Sequence, residues 1–413
     1  MRICDTPEDC DDSSECTEDA CDVNGQCINA AVEDGTMCGD GAGSCQAGSC
    51  VGTFPCTEQG IRDAIAVGDG PHTFDCEGPK TIVTEAEIGI TNEGSKNYLR
   101  RVILDGEGNL TVDGDASHRV FSVGNTVAAE LRGFVVRNGA PSSGDGGGIH
   151  NEGWLTVMNS TVSGNTAARG GGIWNYFVLT LTNTTVSGNT ATVAGGGIAN
   201  GDFFFPAMAT LIGSTVSENN AESRGGGINN EGGLSLTDST VSGNGINNTR
   251  GLTLTNSTVS GGGITSSGIV PSPSVTLIAS TVSGSISHFG GRLNLINSLI
   301  DGNCNGIAAS SGYNIESPGN TCGLDEAKGD QINVTEEQLN LGKLADNGGP
   351  TMTHKPGDGG FGNGSAAIDQ IPVADCVDAD GEPLITDQRG LPRPVAILGP
   401  EPKCDVGSVE VQP

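Results

Sequence analysis

The sequence has few aromatic residues and no long apolar run. Phe, Trp and Tyr make up 4% of its 413 residues, and no apolar stretch approaches the roughly 18 residues of a membrane-spanning helix. The first ten residues, MRICDTPEDC, also lack the apolar core of a secretory signal. The sequence as given therefore predicts neither a transmembrane segment nor a signal peptide.

Positive charge is scarce, with 19 Lys and Arg against 50 Asp and Glu and a formal net charge of −31. Nucleic acids and anionic membranes are bound through cationic contacts with phosphate, so the charge argues against both as partners and favours cations. The acids are concentrated at the N-terminus: residues 1–56 hold twelve of them, whereas residues 155–300 hold five acids and four basic residues. The middle of the chain is therefore nearly neutral.

Cysteine is abundant: ten of the 14 cysteines lie within residues 4–76 and four within residues 304–404. A zinc site is the alternative to disulfides, but His72 is the only histidine among the first 76 residues and no CxxC pair occurs. We therefore expect disulfides, which place the protein outside the cell or on its surface.

A sequence repeat fills the middle of the chain. The segment LTVMNSTVSGNTAARGGGIWN (155–175) recurs as LTLTNTTVSGNTATVAGGGIAN (179–200), and the glycine block recurs with it. The steps average 23 residues, a period that indicates a solenoid whose units bury their apolar faces by stacking. The aligned positions are Val162, Val186, Val216, Val241, Val259, Val282 and Ile300.

Local patterning indicates strands. Segments such as LTLTN and LSLTD alternate apolar residues with Thr or Ser, and Val, Ile and Thr favour strands. The sequence therefore predicts an all-β protein, a right-handed parallel β-helix of about ten coils. The narrow interior of such a coil is filled by small β-branched residues, which explains the low aromatic content.

In-register stacking of the coils places like residues over one another. Glycines and the asparagines Asn165, Asn189 and Asn219 are expected to supply the left-handed backbone at the corners. Two side-chain ladders are also predicted. The amide ladder comprises Asn159, Asn183, Asp238, Asn256 and Asn297; the hydroxyl ladder comprises Ser160, Thr184, Ser214, Ser239, Ser257, Ser280 and Ser298.

A stack of coils exposes two strand edges and needs caps. The amphipathic segment CTEQGIRDAIAV (Cys56–Val67) predicts a helix over the first coil, and the Pro/Gly-rich tail Leu341–Pro413 is expected to fold over the last one. The predicted organisation is a Cys-rich acidic module (1–55), an N-terminal cap (56–80), a β-helix (81–303), and a C-terminal cap with a closing segment (304–413).

Three motifs resemble those of bacterial secreted β-helix proteins. Cys56-x4-Ile61-Arg62-Asp63-Ala64-Ile65 resembles the CSLREA motif, and GGGI with VSGN resembles the GGAI and FxxN repeats of polymorphic outer-membrane proteins. The tail, LADNGGPTMTH to CDVGSVE (344–410), is similar to the closing segment of choice-of-anchor Q proteins. Valine replaces the phenylalanine of FxxN, and no anchoring segment follows CDVGSVE. The resemblance implies a parallel β-helix displayed or secreted by a bacterium.

For the cysteines we predict the pairs Cys56–Cys76 across the N-terminal cap, and Cys304–Cys322 and Cys376–Cys404 in the C-terminal part. The other eight would pair within the head, in a connectivity that the sequence leaves open.

Catalytic motifs are sparse. A polysaccharide lyase needs a carboxylate cluster for Ca²⁺ beside a base, and a glycosidase needs facing carboxylates, but the acids of the middle coils do not recur at one position. We therefore predict no catalytic residues. The earlier coils are richer in charge, and there we favour Asp–Gly turns over a cleft. These charged residues are Asp105, Glu107, Asp113, Asp115, His118, Arg119, Arg132 and Arg137.

Calcium is the candidate metal. Asp378, Asp380 and Gly381 follow the order of a Ca²⁺ loop, although Arg389 stands where an EF-hand has its final Glu. Asp11 and Asp12 in the acidic head are a second candidate site.

These features favour an extracellular structural, adhesive or self-assembling protein, and a head-to-tail contact between copies would build a filament. The alternative is a β-helix that binds or degrades polysaccharide. Other partners would be components of a cell surface or an extracellular matrix.

Overall fold

The computed structural model describes residues 4–12, 14–92, 99–202, 204, 207–268, 272–357, 364–397 and 401–413. Short parallel strands stack into a β-helix with three sheets, as predicted. One coil runs from Ile149–Asn151 in the third sheet to Trp154–Met158 in the first and Thr161–Ser163 in the second, and then returns through glycines. The third sheet has ten strands, which matches the expected number of coils.

Two long strands, Arg100–Asp113 and Val127–Arg137, run through both the first and the second sheet and join them. The first sheet also contains Thr53–Pro55, Asp69–Asp75, Trp154–Met158, Val178–Thr182, Met208–Ile212, Gly233–Thr237, Gly251–Thr255, Ser274–Ile278, Arg292–Ile296 and Ala309–Ser310. The second contains Lys80–Val83, Thr161–Ser163, Thr185–Ser187, Thr215–Ser217, Thr240–Ser242, Thr258–Ser260, Thr281–Ser283, Leu299–Asp301 and Ile315–Ser317. The third contains Ile88–Ile90, Phe121–Val123, Ile149–Asn151, Ile173–Asn175, Ile198–Asn200, Ile228–Asn230, Ile246–Asn248, Ile264–Ser267, Ile286–Phe289 and Cys304–Asn305.

The strand register keeps equivalent residues in line although the repeats differ in length. Leu179 pairs with Leu155 on one side and with Ala209 on the other, and Val186 pairs with Val162 and Val216. Loops outside the strands absorb the extra residues of the longer repeats. Inward-pointing residues such as Leu179, Leu181 and Val186 are fully buried, so one continuous apolar core runs the length of the stack.

The N-terminal cap is the predicted helix, which spans Glu58–Val67 and begins at Thr57, whose side chain accepts a hydrogen bond from the backbone N–H of Gly60. Its apolar face, Ile61, Ala64 and Ile65, is buried against the first coils. On its other side Val67 packs against the disulfide-rich head. The helix therefore covers the edge of the stack and links it to the head.

The head consists of small antiparallel pairs held by disulfides. The strand Thr17–Cys21 pairs with Cys27–Ala31, and Gly43–Gln46 pairs with Met37–Cys38 and Ser49–Val51. Its bonds are Cys4–Cys21, Cys10–Cys27, Cys16–Cys45 and Cys38–Cys50. The remaining cysteines form the three pairs expected from the sequence, Cys56–Cys76, Cys304–Cys322 and Cys376–Cys404.

Few other elements occur in the described residues. A side sheet is formed by Thr166–Arg169, Thr190–Ala194 and Asn220–Ala221, and the strand Ile371–Pro372 pairs with Lys403–Cys404. The remaining helices are Pro7–Cys10, Gly39–Gly41, Glu326–Lys328, Glu336–Leu339 and Val373–Asp375. None of the helices in the described chain has the length and apolar character to cross a membrane.

The tail lies in a different place from the one expected. Cys322 and Leu324, just after the last strands, join the apolar core and cover the last coil. The described residues after 340, here called the strap, instead run along the outer face of the second sheet. Thr240 donates a hydrogen bond to the Met352 carbonyl over 2.6 Å, and Thr258 donates to Gln388 Oε1 over 2.6 Å. The strap covers a flank of the β-helix rather than its end, because it satisfies the hydroxyl groups on that flank.

Two buried ion pairs hold the strap together. Arg389 pairs with Asp387 over 2.7 Å, and Arg393 pairs with Glu410 over 3.0 Å. The Glu410 carboxylate also accepts hydrogen bonds from the backbone N–H groups of Val395 and Asp405. These charges are paired and hydrogen-bonded, as buried charges must be.

The hydroxyl ladder forms as expected, at the corner between the first and the second sheet. Backbone N–H groups donate to the hydroxyl of the next coil, for example Ser214 to Ser239 over 3.1 Å and Ser239 to Ser257 over 3.2 Å. Each hydroxyl in turn donates to the backbone carbonyl two residues earlier in the same coil, as Ser239 does to the carbonyl of Thr237. The ladder therefore connects coils with satisfied buried groups.

The asparagines exchange the roles that the sequence suggested. Asn159, Asn183, Asn256 and Asn297 hold the left-handed corners, with φ values of 46–54°. In the described chain they form one amide contact, Asn183 Nδ2 to Asn159 Oδ1 at 3.4 Å, while Asn256 and Asn297 donate to strap carbonyls. The continuous amide ladder expected at these positions is therefore not present.

The amide ladders are built from other asparagines, which are buried. In one of them Asn165 Nδ2 donates to Asn189 Oδ1 and Asn189 Nδ2 to Asn219 Oδ1, each over 2.9 Å. The expectation that these three hold left-handed corners was wrong: among their neighbours, Gly164, Gly188 and Glu218 have positive φ. A second ladder with spacings of 2.7 Å links Asn151, Asn175, Asn200, Asn230 and Asn248.

Candidate functional site

Both tryptophans of the chain lie on adjacent coils, at the corner between the third and the first sheet. Trp154 begins the strand Trp154–Met158, and its side chain is 39% exposed. The ring of Phe177, 42% exposed, stands edge-on to it at 4.6 Å between centroids. Met208 is also exposed. It occupies the position equivalent to Trp154 two strands away in the first sheet, since Val178 pairs with both residues. These side chains form an exposed apolar surface on a protein with few aromatic residues.

A second group of rings continues round the same corner. The rings of Trp174 and Tyr176 stack with centroids 5.1 Å apart. The ring of His150, on the preceding coil, lies 4.5 Å from that of Trp174 between centroids. Strand pairing places His150 directly beside Trp174 in the outward row of the third sheet. We refer to Trp154, Phe177, Met208, Trp174, Tyr176 and His150 as the aromatic patch.

The Trp174 indole is costly for stability. It is 6% exposed, and in the described chain its Nε1 is buried without a hydrogen-bond partner. A buried donor left unsatisfied typically costs about 1–3 kcal/mol. A placement that weakens the fold is expected more often at a functional surface than elsewhere.

Charged groups border the patch. The Arg169 guanidinium lies 5.6 Å from the Trp174 ring centroid and pairs with Asp145 over 2.6 Å. The hydrogen bonds that Arg169 donates to the Asp145 carboxylate are the main cause that raises the pKa of Arg169, and the charges of Asp145, Asp202 and Glu231 raise it further. His150 Nε2 lies 3.3 Å from Glu152 Oε1. The aromatic patch therefore has a polar rim in which carboxylates outnumber cations.

A cleft of about 710 Å³ opens at the other end of the strand that carries Trp154. Met158 lines it, and since side chains alternate along a strand, Trp154, Thr156 and Met158 point to the same face. The sequence interpretation favoured simple turns at the charged early coils. The structure adds a cleft, lined by Asp105, Glu107, Gly108, Glu130, Arg132, Gly133, Met158 and Asn159.

The charges in the cleft have defined partners. Arg132 Nε donates to Glu130 Oε1 over 2.6 Å, and this bond is the main cause that raises the pKa of Arg132. Asp105 Oδ1 accepts from the backbone N–H of Glu107, an arrangement that fixes the left-handed turn at Glu107. Three carboxylates and one guanidinium leave a net charge of −2 in the cleft.

The structure places the predicted calcium residues on turns. Asp378 Oδ1 accepts hydrogen bonds from the backbone N–H groups of Asp380 and Glu382. In the head, Asp12 Oδ1 accepts from the Ser14 N–H and the Thr17 hydroxyl. Burial raises the pKa of nearby Asp19, and the charges of Asp12 and Asp11 add to the rise. Calcium binding therefore stays a prediction.

Ligand atoms gather closely in two other places. Within the described ranges, groups of three potential metal ligands occur at Cys4, Cys10 and Cys27 and at Cys16, Cys38 and Cys50. All six sulfurs belong to disulfides, so they offer no thiolate to a metal.

Sequence reasoning missed the aromatic patch. Its positions carry other residues in neighbouring coils: Trp174 aligns with Ala199, and Trp154 with Val178. The available signal was the interruption of a repeat of small residues by Trp154 and by WNYF at 174–177.

No protein-family model matches the chain, and no curated protein is similar to it. Among solved structures, the crystal structure of pectate lyase Pel9A is similar at 13% sequence identity and a TM-score of 0.49. The similarity covers 84% of this chain and 90% of that one. The β-helix is therefore assigned from the strand pairings of this chain.

Proposed function

We propose that this protein is an extracellular adhesive module that binds polysaccharide through the aromatic patch. The observation that supports it is the gathering of both tryptophans with Tyr176 and Phe177 on neighbouring coils of an aromatic-poor β-helix. Exposed aromatic faces stack on the apolar faces of pyranose rings, and polar groups around them bond to sugar hydroxyls. Seven disulfides agree with an extracellular location.

Binding through the patch depends on a rigid support. Trp154 and Trp174 sit on strands whose neighbours are hydrogen-bonded on both sides, so the rings hold their positions before a ligand arrives. Preorganisation of this kind lowers the entropic cost of binding. A repeating ligand fixed to a surface would gain further from several copies of the protein acting together.

The test is a pull-down of the purified protein with a panel of insoluble polysaccharides. We expect at least one polysaccharide to retain the wild-type protein and to bind Trp154→Ala roughly thirtyfold more weakly, since truncating an interface tryptophan commonly costs about 2 kcal/mol or more. Phe289→Ala is the control, because Phe289 is an exposed aromatic outside the patch. Equal retention of both variants, or no retention of the wild type, would contradict the proposal.

The same incubations distinguish binding from degradation. The supernatants are assayed for new reducing ends and for unsaturated uronate ends. Release of soluble fragments by the wild type would favour the degrading alternative, and Asp105→Asn and Glu130→Gln would then locate the reaction in the cleft.

Self-association is a second candidate, supported by exposed apolar side chains at both ends of the molecule. Val23 in the head is fully exposed, and Ile307 in the last coil is 82% exposed. A head-to-tail contact between them would repeat into a filament. Sedimentation at high protein concentration, with and without Ca²⁺, tests this candidate, and Ile307→Glu should restore monomers. A monomeric wild type in both conditions would contradict it.

A further inference from the structure

The polar rim of the aromatic patch is mainly acidic, which restricts the charge of a glycan bound there. Burial is the main cause that raises the pKa of Tyr176, and the charges of Asp202 and Glu152 raise it further. Asp145 is paired with Arg169, the cation of the rim. A uronate placed on the patch would therefore meet more carboxylates than cations in the rim.

The cleft is acidic as well and lies within reach of the same ligand. Trp154 and Met158 are four residues apart on one strand face, a distance of about 13 Å. An extended oligosaccharide lying along this strand would place one ring on Trp154 and a later one at the cleft. Thr156 lies between the two on the same face and offers a hydroxyl.

The carboxylates of the cleft differ in how far they are neutralised. Glu130 is paired with Arg132, and Asp105 lies opposite the same arginine, whose pKa its charge raises; Glu107 is exposed and forms no ion pair in the described part of the chain. One guanidinium against three carboxylates leaves a negative charge that would attract an entering cation. An ammonium group forms charge-assisted hydrogen bonds with carboxylates and also interacts favourably with the face of a tryptophan.

We infer that the ligand is an amino-sugar polysaccharide, with pyranose rings stacked on Trp154 and a free ammonium group held in the cleft by Asp105 and Glu107. This inference rests on the proposed polysaccharide binding and narrows it to one chemical class. Uronate polymers are disfavoured, because the cleft and the rim are acidic and the whole chain carries a net charge of −31.

The test measures the binding of three soluble probes by calorimetry at mildly acidic pH and low salt. They are chitosan oligosaccharides, their fully N-acetylated counterparts and oligogalacturonates. We expect chitosan oligosaccharides to bind roughly tenfold or more tightly than the acetylated probe, with an advantage that shrinks as salt is added, and oligogalacturonates to bind weakest.

The variant Asp105→Asn/Glu107→Gln removes two charges from the cleft while keeping the size of both side chains. It should lose the preference for the free amine and keep the affinity for the acetylated probe. Glu336→Gln/Glu337→Gln is the matched control, since it removes two exposed charges on a different element and should behave as the wild type.

The outcomes separate the two levels of the proposal. If the amine and acetylated probes bind equally and Trp154→Ala weakens both, the aromatic patch binds glycans but the amino-sugar inference is wrong. Equal loss of the amine preference in both double variants, or tight binding of oligogalacturonates, would also overturn the inference. If none of the three probes binds, the amino-sugar inference fails, and the polysaccharide panel alone decides the broader proposal.

Discussion

At the scale of the residue, equivalent positions of the coils carry side chains with different tasks. Asn159, Asn183, Asn256 and Asn297 hold one left-handed corner, and Asp238 occupies the same corner with φ 51°. Asn and Asp tolerate this conformation better than other residues with a Cβ. The carboxylate of Asp238, however, is half-buried under the strap, and its Oδ1 has no hydrogen-bond partner in the described chain.

The first prediction concerns the pH dependence that Asp238 introduces. Burial raises the pKa of its carboxyl from 3.8 to about 6, against the opposing hydrogen bond of Asn256 and with a contribution from the charge of Asp387. The folded protein therefore binds a proton more tightly than the unfolded chain, so the stabilisation present below pH 3.8 is lost as the pH rises through about 6.

Asp238→Asn introduces asparagine, which four other coils have at this corner. The variant should lose the pH dependence of stability that the Asp238 carboxyl causes. We expect the variant to be more stable than the wild type above pH 6 by on the order of 1 kcal/mol, after allowing for solvent screening, and to be no more stable at pH 4. Urea unfolding across this range measures the difference. A constant difference between the two proteins at all pH values would contradict it.

The second prediction concerns close backbone contact in the glycine block. A Cβ on Gly172 would lie 2.7 Å from the Gly197 oxygen and 2.9 Å from Asn189 Nδ2, and neither the backbone nor the buried amide ladder can move freely. We expect Gly172→Ala to lower the free energy of unfolding by about 1–3 kcal/mol. Gly89→Ala is the control, because its Cβ would meet side-chain atoms no closer than 3.5 Å. Similar melting temperatures for the two variants would contradict this explanation of the glycines.

At the scale of the element, the strap covers the outer face of the second sheet and is hydrogen-bonded to it. Gln388 lies at its centre, 1% exposed. Its amide nitrogen donates to the Thr240 hydroxyl over 2.8 Å and to the Thr351 hydroxyl over 2.9 Å, and its oxygen accepts from Thr258. One side chain thus joins the strap to two coils.

The third prediction is that Gln388→Ala loosens the strap. The truncation removes the buried hydrogen bonds to Thr240, Thr351 and Thr258 and should cost about 0.5–1.5 kcal/mol for each bond lost. Hydrogen exchange should increase in the covered strands Thr240–Ser242 and Thr258–Ser260 but not in Thr161–Ser163, far from Gln388. Gln412→Ala is the control, since within the described residues Gln412 bonds only to carbonyls of the strap itself. Equal exchange in the two variants would show that Gln388 does not hold the strap.

The elements that repeat were predictable from the sequence, and those that occur once were not. The alternating Leu and Thr of the first sheet and the hydroxyl ladder recur in each coil, so their burial followed from periodicity. The strap has no repeat, and its hydrogen bonds to the coils join residues far apart in sequence: 78 residues separate Asn297 from Asp375, and 112 separate Thr240 from Met352. Which asparagine turns a corner and which one is buried depends on the backbone angle at one residue, and composition does not reveal it.

At the scale of the whole molecule, the protein is a stack of ten coils with a disulfide-rich head at one end and a strap along one flank. The aromatic patch lies at a corner of the stack, on coils that the first and third sheets hold in place. The patch could not be derived from the repeat, because it consists of deviations from it. Strand register places Trp154 beside Val178, next to Phe177, and places Trp174 beside His150.

Tryptophan fluorescence tests the central claim most directly, because the chain has two tryptophans and both belong to the aromatic patch. Titration with the glycan that the binding experiments select should change the emission saturably in the wild type, and Trp154→Phe should remove most of the change, since Trp174 is buried. Glycan binding that leaves the emission unaltered, or a change that persists in full in Trp154→Phe, would contradict the claim that the protein binds polysaccharide through this patch.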